Sequence, residues 1–424
     1  MKFALACYGT RGDIEPSAAV GRELLRRGHD VRLAVPPEQV EFVESTGLAA
    51  VPYGPEVREF QDEEFLRNMW RDVFRSPVKA VRGVWEPIIR YWDDVGTTLV
   101  SLADGADLLS SGLNFEQAAA NVAEYYDIPL AALHHFPMRA NGQLIPALPA
   151  PLLRSGMVTL EWLFWRSTKK VENAQRSQLG LPKSTRRFER RIAERGPLEV
   201  QAYDGVLFTG LAAEWAKWGD RRPFVGALTM GLTTEADEDV ASWIAAGTPP
   251  ICFASGSIPV ESPAAMVDMI SVACAELGER ALICFGGTDF AGMQHSDHVK
   301  LIGVVNYAAI FPSCRAVVHH GGSGTTAASL RAGIPTLVLW SSADQPYWGA
   351  RVKRLKVGTA RRLSAATGDS LVEDLRVILA PPYAERAREL AGRMTTPTES
   401  AATTADLFED AVRRKASTVP VQPH

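Results

Sequence analysis

Residues 316–345 read AVVHHGGSGTTAASLRAGIPTLVLWSSADQ, and their types and spacing suit them to holding an anion. An apolar strand closes at Ala316 to Val318. His319 and His320 follow, then Gly321, Gly322 and Gly324 make a tight turn, and Thr325 to Arg331 open a helix. Glycines admit an anion close to the backbone. The first N–H groups of a helix have no partner inside it and point outward with the positive end of the helix dipole behind them. An imidazole at the strand end, His319 or His320, adds a donor and, if protonated, a charge. Spacing alone also allows a plain Gly-rich connection with no ligand. The next strand, 335–340, runs into Ser341, Ser342, Ala343, Asp344 and Gln345. Polar groups at the C-terminal end of a strand line the crevice where open parallel sheets bind ligands, so Asp344 and Gln345 can read hydroxyls there.

A second candidate lies near the start of the chain, in GTRGDIEP at 9–16. Asp13 falls just beyond the first strand, and enclosure away from water would make its carboxylate a better base. Its structural alternative is a helix N-cap, worth about 1 kcal/mol. Arg11 can steer that carboxylate or touch phosphate, with Gly12 between them. His134 and His135 close another strand pattern; neighbours on a strand point to opposite faces, so at most one lines a crevice. Asp237-Glu238-Asp239 spells DxD, but acidic residues ahead of Trp243 and Ile244 read as the first turn of a helix rather than a metal site.

These residues need strands and helices to hold them. The pattern predicts a strand at 3–8, a loop at 9–16, a helix at 17–27 and a strand at 31–35, a βαβ unit of a parallel sheet. GTRGDI lacks the GxGxxG of a dinucleotide fold, which argues against a nicotinamide role. Further strands are predicted at 107–111, 129–134 and 206–209, then at 251–254, 281–285, 301–305 and 335–340. Helices are predicted at 345–355, 382–394 and 399–414.

The chain has 424 residues, more than one core usually supports. We expect an N-terminal domain at 1–215, a linker at 216–238, a C-terminal domain at 239–398, a helix at 399–415 and a tail at 416–424. A formal charge of −4 gives no reason to propose a nucleic-acid partner. The five cysteines are far apart and lack CxxC spacing, as expected of core thiols in a reducing cytosol. No signal peptide and no run of 18 apolar residues is present, so a cytoplasmic location is expected. Residues 62–92 alternate arginines with aromatics, as an acceptor-pocket wall, a membrane-facing surface or a core-facing helix would. Residues 154–195 hold eleven Lys or Arg against four Glu beside Trp162 and Trp165. That stretch suits either a solvated helix face or peripheral contact with an anionic membrane, which would be the inner face of the plasma membrane.

HHGGSGTT, followed by GIP and ADQ, resembles the donor-site signature of glycosyltransferase family 1. The resemblance implies the α/β GT-B fold, two Rossmann-like doubly wound domains facing across a cleft, with the acceptor in the first and a nucleotide-sugar in the second. By position His319 would bond a donor phosphate, the backbone of Gly322, Gly324 and Thr325 would hold the diphosphate, and Asp344 and Gln345 the sugar hydroxyls. SGSIP at 255–259 is similar to the family's Phe-Gly-Ser-Met-Pro stretch, which brings Ser257 to the diphosphate; Ser255 and Ile258 depart from it. Backbone atoms near Val305 would bond the base. GTRGD-x-x-P resembles the opening motif of sterol, glycopeptide and glycopeptidolipid glycosyltransferases, in which the aspartate, here Asp13, deprotonates the acceptor. Arg11, Gly12, His134 and His135 are further candidates for phosphate or acceptor contacts. Taken together, the motifs look most like glycopeptidolipid glycosyltransferases of mycobacterial cell envelopes. That implies inverting, metal-independent transfer of a 6-deoxyhexose from a dTDP-sugar, or a UDP-sugar, to a lipopeptide hydroxyl, with no cofactor. A sterol or glycopeptide acceptor, a nucleotide-sugar epimerase and a non-catalytic nucleotide-sugar-binding protein are the alternatives.

Overall fold

The computed structural model describes residues 1–60, 85–145, 148–256, 262–286, 288, 290, 293 and 295–418. The chain divides into two compact units, Met1–Leu228 with Thr395–His424, and Thr229–Met394. Each is built on a six-stranded sheet whose pairings are all parallel.

In the first unit the strands are β1 (Lys2–Ala6), β2 (Asp30–Val35), β3 (Ala49–Pro52), β4 (Leu108–Ser111), β5 (Leu130–His134) and β6 (Leu198–Gln201), ordered β3-β2-β1-β4-β5-β6. In the second they are β7 (Ile251–Gly256), β8 (Ala281–Phe285), β9 (Val299–Ile302), β10 (Ala316–His319), β11 (Thr336–Trp340) and β12 (Gly358–Arg362), ordered β12-β11-β10-β7-β8-β9. Read from the opposite edge, the second order matches the first. In both sheets the order of strand addition therefore reverses between the first and fourth strands, and that switch point is where doubly wound sheets bind ligands. It lies between β1 and β4 in one unit and between β7 and β10 in the other, with Phe3 opposite Leu108 and Ile251 opposite Ala316.

The strands form where apolar residues run continuously, because helices cover both faces of a parallel sheet. Ile251 to Ala254 and Ala281 to Phe285 are all buried. Helices Pro263–Leu277 and Gly368–Ile378 supply Val267, Ile270, Leu371 and Leu375 to one face of the second sheet. In the first unit Trp92, Val95, Leu99 and Val122 do the same. The helix Pro397–Thr418 packs on the first sheet's outer helix: Arg27 pairs with Asp406 at 2.6 Å and Glu409 at 3.0 Å, and Phe408 is fully buried.

Two expectations are corrected. Residues 9–16 are not all loop, because the helix Arg11–Arg26 begins at Arg11 and carries Pro16 inside it. Proline lacks the N–H that would bond the carbonyl four residues back, and that residue is Gly12, which is exposed, so its carbonyl is open to solvent and no side chain meets the ring. The last strand of the first sheet is Leu198–Gln201 rather than 206–209, which forms a 3-10 turn, Gly205–Phe208.

The basic stretch 154–195 begins on the 29-residue helix Ala150–Gln178, which carries five of its eleven cations. Several of its cations are paired with carboxylates, Arg154 with Glu214, Arg176 with Glu124 and Arg191 with Glu172. Leu152, Leu160 and Trp162 on this helix are exposed. Of the arginine-aromatic stretch 62–92, residues 62–84 lie outside the described residues. Among the described residues no helix is long and apolar enough to cross a membrane. All five cysteines are buried as free thiols.

Candidate active site

In the second unit, β10 ends at His319 and the helix Ser323–Arg331 begins four residues later, with Gly322 as its N-cap. Thr326 closes the first turn, its N–H donating to the Gly322 carbonyl at 2.9 Å and its hydroxyl at 2.8 Å. Gly324 and Thr325 thus lie in the turn whose N–H groups the helix does not use. Gly321 sits at φ +95°, and a Cβ there would come within 2.7 Å of Val338 Cγ1. Gly321→Ala is expected to lower the stability of this unit by about 2–4 kcal/mol through left-handed strain and overlap, read from urea unfolding. An unchanged midpoint would show that the turn has another conformation available.

The two histidines differ. His319 is 2% exposed, and its Nδ1 accepts the Gly321 N–H at 2.9 Å, which leaves the proton on Nε2, a buried atom with no hydrogen-bond partner. His320 is half-buried and wedged between Gly256 at the end of β7 and Gly322 at the helix N-cap. A Cβ on either glycine would lie 2.5 Å from its ring. Burial pushes the His320 imidazole down to about 4, against the opposing pull of the Asp344 carboxylate. Burial also drives His319 well below the usual histidine range, with His320 adding to the effect. Near neutral pH neither ring carries the charge that a protonated histidine would offer an anion. Each neutral ring keeps a single N–H, which in His319 is on Nε2, and His320 is the one seated on the helix N-cap.

Asp344 is the N-cap residue of the helix Gln345–Leu355, and its Oδ2 accepts the Trp348 indole N–H at 2.8 Å. Gln345 is 5% exposed, and its Oε1 accepts from the Ser341 N–H at 2.8 Å, the Ser341 hydroxyl at 3.1 Å and the Ser342 N–H at 3.1 Å. One end of the Gln345 amide is thus committed within its own loop. Its carbonyl shapes the Ser341-Ser342 turn, leaving the amide N–H groups for a ligand. Val305 is packed in the core with Val240, Ile310 and Phe311. The next residue, Asn306, donates its N–H to Asp237 Oδ1 at 2.9 Å. Asp237 also accepts the Thr234 N–H and hydroxyl, each at 2.8 Å; despite burial, these bonds hold its carboxyl below the usual range. Asp239 pairs with Lys300 at 2.6 Å. The DxD residues therefore start a helix and brace the end of β9. Ser257 lies outside the described residues.

In the first unit, Asp13 is the third residue of the helix Arg11–Arg26, not its N-cap. Thr10 is the cap, and its N–H and hydroxyl donate to Asp13 Oδ2 at 2.8 Å and 3.1 Å. Asp13 Oδ1 is left toward a recess lined by Cys7, Tyr8, Ser17, Leu113, Leu133 and His135. That recess lies at the ends of β1, β4 and β5, the switch point of this sheet. The Arg11 guanidinium lies over the Phe42 ring, 4.5 Å from its centroid, and Gly12 is exposed. His135 has 15% of its side chain exposed, and its Nε2 is 3.7 Å from Asp13 Oδ1. His134 points the other way and is fully buried, with Nε2 3.4 Å from Glu116 Oε2. It is therefore not placed to touch a ligand, as strand alternation requires of one of the two. Behind it Arg139 pairs with both Glu116 and Glu199, and Glu199 also pairs with Arg222. No spacing in the sequence marks this cluster, whose members come from four separate segments. Thr10, by contrast, was readable, since Thr-x-x-Asp is a capping pattern.

Two doubly wound domains with polar residues gathered at both switch points are the architecture of the GT-B fold. The N-terminal domain of glycosyltransferase family 28 matches residues 3–102, and the erythromycin biosynthesis protein CIII-like C-terminal domain matches 282–407. The chain is 59% identical to an uncharacterized glycosyltransferase of Mycobacterium tuberculosis, over 98% of this chain and 100% of that one. It is 30% identical to the vancomycin aglycone glucosyltransferase of Amycolatopsis orientalis, over 99% of this chain and 100% of that one. Among solved structures, the calicheamicin glycosyltransferase CalG4 superposes with a TM-score of 0.71 at 17% identity, covering 98% of this chain and 99% of that one. The glycosyltransferase VinC, in complex with dTDP, does so with a TM-score of 0.68 at 16% identity, covering 98% of this chain and 100% of that one. The chain belongs to this glycosyltransferase family, and is an enzyme of GT-B type related to natural-product glycosyltransferases.

Proposed function

We propose that the protein transfers a hexose, a 6-deoxyhexose by the motif resemblance, from a dTDP- or UDP-sugar to a hydroxyl of a lipid-linked acceptor, with inversion and without a metal ion. The observation that carries this reading is the seat in the second unit, where His320 lies between two glycines against an uncapped helix N-terminus at the sheet's switch point. The diphosphate gathers negative charge as it leaves, and helix N–H groups with a neutral imidazole donor stabilise that charge. On this reading His320, rather than His319, is the imidazole beside the phosphate. Asp13 removes the acceptor proton. Exposed Leu152, Leu160 and Trp162 on a helix that also carries Arg166 and Lys170 support a lipid-like acceptor and peripheral contact with an anionic membrane. A bound dTDP in the VinC complex supports a dTDP donor.

A thermal-shift panel of nucleoside diphosphates tests the donor site. dTDP or UDP should raise the melting temperature, and His320→Ala should weaken that binding about 10- to 100-fold, the worth of one hydrogen bond to a charged group. If no nucleotide shifts the wild-type protein, the donor site is wrongly placed. If His319→Ala alone weakens binding, the choice between the histidines is reversed.

A further inference from the structure

The recess of the first unit holds two groups able to take a proton, and the reading of Asp13 as base uses only one. Asp13 Oδ2 is occupied by the Thr10 N–H and hydroxyl, so proton chemistry is left to Oδ1. A titratable partner, His135 Nε2, lies 3.7 Å from it. That gap is too long for a direct hydrogen bond, but an oxygen seated against both could lie within hydrogen-bond reach of each. The remaining titratable side chains of the lining, Cys7 and Tyr8, do not compete. Burial, with the Asp13 charge adding to it, pushes the Cys7 thiol up to about 12. Burial raises the Tyr8 phenol as well.

His135 is also held in place. It directly follows β5, whose last residue, His134, is anchored on the opposite side by Glu116 and the Arg139–Glu199 pair. Fixing one residue of a strand end fixes the direction of the next. A carboxylate alone is a weak base toward an alcohol, and passing the proton to a neighbouring imidazole returns the carboxylate to its charged state.

We propose that His135 and Asp13 act as one base on the acceptor hydroxyl, an inference that rests on the transferase reading above. The acceptor O–H bond breaks and its proton passes to Asp13 Oδ1; the two side chains then close their 3.7 Å gap to hydrogen-bond distance, and the proton moves on to the Nε2 lone pair of His135. The freed oxygen bonds the anomeric carbon as that carbon's bond to the diphosphate oxygen breaks. The nucleoside diphosphate leaves, and the imidazolium, paired with the restored carboxylate, releases its proton to water.

The test compares acceptors that differ in their need for a base. Wild type, His135→Gln, Asp13→Asn and the double variant are assayed with dTDP-glucose and UDP-glucose. 4-Nitrophenol, which ionises unaided, and benzyl alcohol, which does not, serve as acceptors, and donor hydrolysis is read alongside. His135→Gln is expected to lose about 10²-fold with benzyl alcohol and at least about tenfold less than that with 4-nitrophenol, at unchanged dTDP affinity. The double variant should be no slower than Asp13→Asn, because groups acting as a unit are not additive. Equal losses with both acceptors, or losses that multiply in the double variant, overturn the pairing. His135→Asn replaces the glutamine variant if the latter does not melt cooperatively. Wild-type turnover that His135→Gln leaves unchanged sinks the pairing alone. Wild-type protein that binds dTDP yet consumes neither donor sinks the transferase reading and the pairing with it.

Discussion

Asp13→Asn is expected to lower sugar transfer by about 10²- to 10⁴-fold, the range for loss of a general base, while nucleotide affinity stays within twofold or so of wild type. The substitution separates chemistry from structure because of how the side chain is held. Thr10 donates its N–H and hydroxyl to one oxygen of Asp13, and an asparagine carbonyl can accept the same two bonds. The helix cap therefore survives, and the change in stability should fall below the ~0.5–2 kcal/mol of losing a cap outright. What asparagine removes is the lone-pair basicity of the second oxygen, the one toward the recess. Donor binding is expected to persist because the residues proposed for it, from Val305 to Gln345, belong to the other unit. The measurements are kcat for transfer and a nucleotide Kd on the same sample. Turnover retained within tenfold would remove Asp13 from the mechanism, and affinity lost in parallel would show that the substitution disturbs more than the base.

Arg139→Met is expected to destabilise the first unit by about 3–5 kcal/mol, the cost of leaving a buried charge without its partner. Arg139 pairs with Glu116 and Glu199, and all three are buried. Burial alone would raise both carboxyls; the Arg139 charge outweighs it and holds Glu116 below the usual range. With Arg222 adding its charge, Glu199 is held down to about 2. The sign of the pH dependence follows. A carboxyl held low in the folded protein contributes stability above its unfolded value, near 4.5 for Glu199, and that contribution disappears as pH falls toward 2. Without Arg139 the same burial favours the protonated acids, so the variant's penalty is largest at neutral pH and shrinks as the carboxyls take up protons. Urea unfolding of both proteins between pH 7 and the acid limit of the folded state should show the gap closing as pH falls, beginning above the ordinary value of 4.5 because the carboxyls left without Arg139 take up protons early. A penalty independent of pH would mean that lost packing, not unpaired charge, sets the cost.

The Arg139 cluster marks a boundary of what a reader of the sequence could find. Nothing in the local pattern around Glu116, Arg139, Glu199 or Arg222 distinguishes them from solvent-facing charges, since their partners are decades of residues away. The strands were legible for the opposite reason. Ile251 to Ala254 and Ala281 to Phe285 are continuous apolar runs, the local signature of a sheet covered on both faces. β3 and β12 lacked that signature: at the sheet edges every residue of Ala49–Pro52 and Gly358–Arg362 except Gly358 is half-buried or exposed, and no strand was predicted for either.

By itself the sequence determined that two βα-built domains would form and that one would end a strand in histidines and glycines before a helix. It also placed a carboxylate just past the first strand, because each of these features is written in neighbouring residues. Tertiary structure alone decided which imidazole sits on the helix cap, that Gln345 turns its carbonyl into its own loop, and that His135 rather than His134 reaches Asp13. Those choices depend on which face of a strand meets which distant element, and hydrogen bonds and burial between remote segments settle them only once the chain has packed.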